Sequence, residues 1–423
     1  MKVAIVSHSD ITGGAAIASL RLAESLIAAG VDARLVVNRR SRVNEDKDYI
    51  VQAGDNLLSR ACFLYEHANI FASNGFSREN LFKISVASCG LPLHRHPVIK
   101  EADIVVLNWV NQGMISLKEI GRLSAMGKIV VWVLHDMWPM TGICHYAEGC
   151  DNFKDICHDC KLLSWEAGRR DLSTRTQKRK YKLYNRYPSH FVAVSNWLAE
   201  MGRQSMLLHD QDLSVIHDTF PYERFAINSM LTRRDLGLPK GPEHLVVMGA
   251  ARLDTPIKGL DTAIEALNIL ADKGRDDIGA VFFGSFRNPE MLDSLRMEHK
   301  WVGPVNDPDF LAEIYAQCSV VLSAAKYETF GLTLIEGAAA GAIPVSFGCD
   351  GREDIITHQK TGYIADYGSA ADLATGIEWA IGSHIDRRAL SRYVGERFSP
   401  AVIAAEYIKL FERLMSECKK QTQ

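Results

Sequence analysis

Two doubly wound parallel α/β domains are the fold this sequence predicts, and three observations predict it. Short β-branched apolar runs alternate with helical patterns along the whole chain. The runs are continuously apolar rather than alternating, as in parallel strands covered on both faces. The series occurs twice: KVAIVS, ARLVV, DIVVLN, KIVVWVL and HFVAV, then HLVVMGA, GAVFFG, SVVLS and IPVSF. At 423 residues the chain also exceeds one ordinary core. The change of series falls within HDTFPYERFAINSM, residues 217 to 230, so the first domain is placed at 1–216 and the second at 217–400. A last helical segment, Ala401 to Lys419, carries Ile403, Tyr407, Leu410 and Leu414 at helical spacing and so buries one face.

Composition narrows the class. With 47% hydrophobic and 23% charged residues the chain reads as globular, not fibrous or disordered. The net charge of −3 divides unevenly: residues 1 to 215 carry 26 Lys+Arg and 22 Asp+Glu, leaving 22 and 29, so the halves are +4 and −7. That tilt does not suggest nucleic acid and fits an amino half that approaches anionic lipid. No run of about 18 apolar residues occurs, and Lys2 to Ser7 reads as a strand rather than a secretion signal. A cytoplasmic location is expected, in which the nine cysteines are reduced thiols or metal ligands before disulfides.

Taken in chain order, the first strand runs into SHSDITGGAAIASL, placing Gly13 and Gly14 at a strand-to-helix turn. This is either a tight turn or a loop that lets a ligand approach the backbone. His135 and Asp136 follow the strand KIVVWVL at the end where sites of such folds are built; an imidazole there serves either structure or chemistry. Ser195 and Asn196 after HFVAV suit a helix cap. Cys144, Cys150, Cys157 and Cys160, with His145 and His158 interleaved, are compatible with structural zinc, with packed thiols or with disulfides. Residues 169 to 187 carry eight Lys/Arg against one Asp, with Tyr181, Tyr184 and Tyr187 among them. The run is a solvated helix face or a surface for anionic headgroups or a polyprenyl diphosphate. No nucleic-acid module surrounds it.

The second half holds the densest cluster. GAARLDTPIKGL sets Arg252 and Lys258 in a loop between a strand and an amphipathic helix, positions suited to a diphosphate. KYETFGLTLIEGAAAGAIPV, residues 326 to 345, places Glu328 in a loop and Glu336 inside an alanine-rich helix beginning near Gly331. The leading N–H groups at Phe330, Gly331 and Leu332 form an anion site. A lone Glu on such a helix is ordinarily solvated, but a carboxylate on each side of an anion hole suits a ligand with a polyanionic middle and hydroxylated ends. A sugar nucleotide has that form.

Together, Arg252, Lys258-Gly259, Glu328-Thr329-Phe330-Gly331 and Glu336 resemble the donor-site signature of retaining, GT-B-fold glycosyltransferases of family 4, and the GG, HD and VSNW segments extend the resemblance over most of the chain. The HDMWPMTGICHY stretch with its trailing cysteines resembles bacterial members that build colanic acid, O-antigen or related surface polysaccharides. The resemblance implies two Rossmann-like domains facing a cleft, with the helix at about 401–423 packed back on the first. It also implies a nucleoside-diphosphate sugar donor and a lipid-linked or oligosaccharide acceptor at the inner face of the cytoplasmic membrane. Gly13 and Gly14 would contact donor or acceptor, His135 and Glu328 the donor sugar, Arg252 and Lys258 the diphosphate, and Glu336 the ribose. No DxD motif stands in a context suited to a metal, so no catalytic cofactor is expected and the diphosphate is to be neutralised by Arg252, Lys258 and the helix dipole. Transfer would follow a front-face path. His217, Asp218, Gly337 and Arg352, the last where the family has a small residue or proline, depart from the family pattern and read as divergence. Two other classes compete: a sugar-nucleotide epimerase of similar architecture and an inactive scaffold subunit of polysaccharide assembly.

Overall fold

The computed structural model describes residues 1–54, 56–164, 168–227 and 229–421. It divides into two compact units, Met1–His217 with Ile403–Gln423, and Asp218–Val402. Among the described residues the first contains seven strands: β1 (Lys2–Ser9), β2 (Asp32–Arg39), β3 (Ile50–Gln52), β4 (Ile104–Leu107), β5 (Ile129–Leu134), β6 (His190–Ala193) and β7 (Asp212–Val215). They form one parallel sheet in the order β3-β2-β1-β4-β5-β6-β7. The second contains β8 (His244–Arg252), β9 (Ile278–Ser285), β10 (His299–Trp301), β11 (Val320–Ser323), β12 (Ile343–Phe347) and β13 (Tyr363–Ala365), parallel in the order β10-β9-β8-β11-β12-β13.

Both sheets are doubly wound, and this decides where side chains can meet. Strand order reverses between β1 and β4 in the first sheet and between β8 and β11 in the second. Loops leaving the two central strands depart to opposite sides there and open a crevice at the strands' carboxyl ends. Val3 of β1 pairs with both Ala33 and Ile104, which fixes the first of these junctions in register.

Four strands that the sequence pattern does not mark, β3, β7, β10 and β13, are the outermost strands of the two sheets. Each has only three or four residues and is partly exposed, as in His299–Trp301, where no residue is fully buried. A short edge strand needs no continuous apolar run, so the pattern that betrays central strands is missing from it.

The helix Leu172–Arg186 requires a correction. Asp171 caps it by accepting from the Thr174 N–H, and Lys178, Arg179 and Lys182 are exposed. Lys180, expected to share that solvated or lipid-facing surface, is fully buried. Its ammonium donates to the carbonyls of Trp138 at 2.5 Å and Thr141 at 3.1 Å, and sits 3.6 Å from the centre of the Trp138 ring. Burial pushes the amine down to about 7. Trp132 and Tyr184 continue the cluster beside Trp138, with ring centroids 5.9 Å apart in both pairs.

Lys180→Gln is therefore expected to lower unfolding free energy by about 2 kcal/mol, because shortening the side chain strands two buried carbonyls. Lys182→Gln, on the exposed face, should change it by less than about 0.5 kcal/mol. Urea or thermal denaturation of both variants checks this, and equal effects would contradict the assigned environments.

Candidate functional site

In the second unit the junction of β8 and β11 brings the densest part of the sequence signal together. The backbone after β8 makes a single tight turn at Pro256–Lys258 and then adopts a left-handed conformation at Gly259, φ 65°. A side chain at 259 would meet the Ala324 carbonyl at 2.0 Å, so only glycine lets the two loops touch. The Lys326 N–H donates to the Ile257 carbonyl at 2.8 Å and closes the contact. With the loops so joined, the Lys258 ammonium donates to Glu328 Oε2 at 2.8 Å. Burial pushes the Glu328 carboxyl up, but Lys258 and the Arg352 guanidinium outweigh it and hold the group below the usual carboxylate range.

Arg352, read from the sequence only as a departure from the family pattern, holds this arrangement in place. It is fully buried and grips Asp350 through two bonds, Nε to Oδ1 and Nη2 to Oδ2, both 2.7 Å, while Nη1 donates to the Ala325 carbonyl at 2.8 Å. Asp350 Oδ2 in turn accepts the Glu328 N–H at 2.9 Å. Gly351 packs so closely that a Cβ there would lie 2.0 Å from the Thr329 carbonyl. Segment 350–352 thus clamps the loop that carries Glu328. An arginine two residues after an aspartate, at a place expected to hold a small residue, was the available signal of such a pair.

The remaining predicted residues of this unit divide by role. Arg252 Nε donates to Asp254 Oδ1 at 2.8 Å, and Asp254 also accepts the Arg287 N–H at 2.9 Å, which steadies the guanidinium on a partly exposed loop. Gly331, φ 116°, precedes the helix Leu332–Ala339 and gives it no side-chain cap, so backbone N–H groups around Gly331 and Leu332 head the helix. The Phe330 side chain is core: it is buried edge-on against Phe398 with centroids 5.3 Å apart. Glu336 is buried in the helix's second turn.

In the first unit, Gly13 has φ 90° and leads the helix Gly14–Ala28 without a side-chain cap; a Cβ at either glycine would meet nothing within 4 Å. His135 Nε2 lies 2.7 Å from Asn108 Oδ1; since a carbonyl oxygen only accepts, Nε2 carries the proton. Asp136 turns inward instead, accepting from His145 Nδ1 at 2.6 Å and from Trp109 Nε1 and the Trp138 N–H, both at 2.8 Å. Burial pushes its carboxyl up, but His145 and these donors prevail and hold it low. Ser195 is a helix cap, accepting the Leu198 N–H at 3.2 Å.

Around His135 the structure adds residues that sequence reasoning missed. Among the described residues, Asn108 Nδ2, Asn111 Oδ1, Gln112 Oε1 and His8 Nδ1 are buried with no hydrogen-bond partner in the protein. His8 lies at the carboxyl end of β1, and Asn108, Asn111 and Gln112 follow β4, where strand order reverses. Buried polar atoms without partners favour a hydroxylated ligand that would satisfy them. The polar run NWVNQ directly after the apolar strand DIVVL was the signal.

Cys144, Cys150, Cys157 and Cys160, for which zinc, packed thiols and disulfides were the alternatives, are free thiols. Among the described residues no group of three or more His, Cys, Asp or Glu could hold a metal ion. The Cys157 N–H donates to Gln177 Oε1 at 2.7 Å. Burial pushes the Cys144 and Cys157 thiols up to about 12, and neighbouring cysteines of the group add to the rise.

With this geometry established, likeness to known proteins can be weighed. Residues 230–397 match the family described as "Glycosyl transferases group 1". An uncharacterized glycosyltransferase of Methanocaldococcus jannaschii is 26% identical over 238 residues, 53% of this chain and 60% of that protein. The glycosyl transferase WcaC, provisionally assigned to colanic acid biosynthesis in Escherichia coli K12, is 31% identical over 74 residues, 16% of this chain. The chain thus spans 60% and 17% of the length of these two relatives. The crystal structure of Anabaena HepE in complex with UDP and glucose superposes over 98% of this chain and all of HepE, at a TM-score of 0.67 and 17% identity. The fold is that of the GT-B glycosyltransferases: two α/β Rossmann-like domains, each with a parallel sheet.

Arg352→Met is expected to cost about 3 to 5 kcal/mol, since it leaves Asp350 charged and buried alone. Asp350→Asn combined with Arg352→Met should recover part of that loss. Denaturant unfolding of the single and double variants reads the coupling, and additive losses would disprove it.

Proposed function

We propose that the protein is a retaining glycosyltransferase of family 4, moving a sugar from a nucleoside-diphosphate sugar to a hydroxyl of a growing, lipid-linked surface polysaccharide at the cytoplasmic face of the membrane. The observation that carries this reading is the Lys258–Glu328 pair at 2.8 Å, at the carboxyl ends of β8 and β11, within the stretch that matches group 1 glycosyl transferases. A cation and a carboxylate held together suit a donor that carries a diphosphate beside sugar hydroxyls. On binding, the Lys258 ammonium turns to the diphosphate, Glu328 accepts from the sugar hydroxyls, Arg252 adds a second cation and Glu336 receives the ribose. The UDP and glucose bound by HepE make a UDP-sugar the first donor to test.

In the proposed reaction the bond from the sugar's anomeric carbon to the diphosphate breaks, and a bond from the acceptor oxygen forms on the same face. The acceptor's proton passes to the departing phosphate oxygen, and the nucleoside diphosphate leaves. The enzyme's share is electrostatic: Arg252, Lys258 and the amino end of the helix Leu332–Ala339 stabilise charge growing on the leaving group. His135 orients the sugar while Asn108 holds its Nε2 proton.

Lys258→Ala and Glu336→Gln should each lower kcat/KM by about 2 to 4 kcal/mol of transition-state stabilisation while the fold persists. A panel of UDP-, GDP-, ADP- and CMP-sugars, read first by thermal shift and then by transfer, provides the assay. Release of a rearranged sugar nucleotide without acceptor would replace this reading with an epimerase. Activity is also expected to persist in EDTA. Complete loss restored by Mg²⁺ or Mn²⁺ would show that a metal, not the protein's cations, holds the diphosphate.

A further inference from the structure

A surface helix ordinarily turns its apolar stripe inward. The helix Asn56–Ser73 buries Cys62 and Ile70 but also carries a second apolar stripe on its outer face. Its buried positions are Ser59, Cys62, Glu66, His67 and Ile70. Glu66 is the helix's one carboxylate, and it accepts the N–H groups of Val86 and Ala87 at 2.7 Å and of Ser88 at 3.1 Å. These bonds set the rotation of the helix, because turning Glu66 outward would strand three backbone donors.

What that rotation presents to solvent is Leu57, Ala61, Leu64, Tyr65 and Ala68, one stripe at helical spacing. Leu57 is 77% exposed, and Leu64 and Tyr65 are each 57% exposed. Two further exposed aromatics join it: Phe76 packs edge-on against Phe71 of the helix, and Phe82 lies against His67. The surroundings are basic. Arg60, Arg78 and Lys83 are exposed, and the Arg39 guanidinium lies 5.8 Å over the Phe63 ring. Against these four cations stand Glu66, Glu79 and Glu148, the last 3.5 Å from Lys83, so the local balance is 4 − 3 = +1.

We propose that this stripe docks the protein on a bilayer containing anionic phospholipid, with Leu57, Leu64, Tyr65, Phe76 and Phe82 entering the boundary between headgroups and acyl chains. The proposal deepens the function proposed above, on which it rests in one respect: a lipid-linked acceptor offers its sugar at such a surface. Charge favours a bilayer over a second copy of the chain, since a two-fold interface through this patch would set one net-positive surface against another. The helix Leu172–Arg186 is the weaker surface. Its exposed face offers Lys178, Arg179 and Lys182 but only Tyr181 as a large apolar group, and cations without an apolar anchor are readily screened by salt.

Sedimentation of the full chain with phosphatidylcholine vesicles, with and without phosphatidylglycerol, tests the proposal. The unaltered protein should sediment with the anionic vesicles at low salt and partly persist at high salt. The combined variant Leu57→Gln, Leu64→Gln, Tyr65→Ser should reduce the bound fraction about tenfold or more, with an unchanged melting temperature because the three side chains are exposed. Lys178→Gln, Arg179→Gln, Lys182→Gln should still bind. The proposal falls if the unaltered protein stays in the supernatant, if the apolar variant binds as well as it does, or if the lysine and arginine variant loses binding instead. It also falls if the unaltered protein is a dimer that the apolar variant converts to monomers. Donor turnover with a short soluble acceptor, measured on the same preparations, separates the two readings: lost docking with intact turnover removes the surface alone, and intact docking without turnover removes the transferase alone.

Discussion

A guanidinium removed from water must keep every partner it has, because an unpaired buried charge costs several kcal/mol. Arg352 meets that demand with the Asp350 carboxylate and the Ala325 carbonyl, and the arrangement has a wider reach than the pair itself. Asp350 also holds the Glu328 backbone, so one ion pair determines where the loop after β11 runs. That loop meets the loop after β8 at Gly259, and the meeting places Lys258 against Glu328. Charge at the candidate donor site is therefore preorganised by packing and hydrogen bonds rather than assembled from mobile side chains.

The sequence was most legible where burial was most complete. Strands such as Ile129–Leu134, buried along nearly their whole length, announce themselves as apolar runs. The edge strands do not, since Ile50–Gln52 or Tyr363–Ala365 needs only three residues and a neighbour to pair with. Their existence is a property of the sheet, settled by a long-range hydrogen-bond partner that local pattern does not encode. Lys180 illustrates the same limit. Within a basic run it looks like its neighbours, and only the helix's rotation against Trp138 decides that it alone turns inward.

Legibility of the site followed chemistry rather than order in the chain. Lys258 and Glu328 were readable because a cation and a carboxylate at the ends of adjacent strands have few structural uses. Arg352 was not, because a departure from an expected small residue signals variation until its partner is seen. Asp136 shows the converse. Its place beside His135 suggests shared work, yet it faces the interior and is bound by His145, Trp109 and Trp138, which makes it a support for the local backbone.

The helix Pro400–Gln421 contributes Arg413 to the first unit, where it donates to Asp212 of β7 at 3.0 Å and approaches His190 of β6 at 3.3 Å. The first unit is thus closed by residues made after the whole of the second, a sequence separation of more than 180 positions. A ribosome adding about 5 to 20 residues per second needs roughly ten to forty seconds to bridge that interval. During it β7 waits at the sheet edge without its partner, while Asp218–Val402, a continuous stretch of chain, has all its own residues. Order of synthesis therefore favours completion of the second unit first, and leaves the β7 edge of the first sheet open to unwanted strand pairing for the whole of that interval.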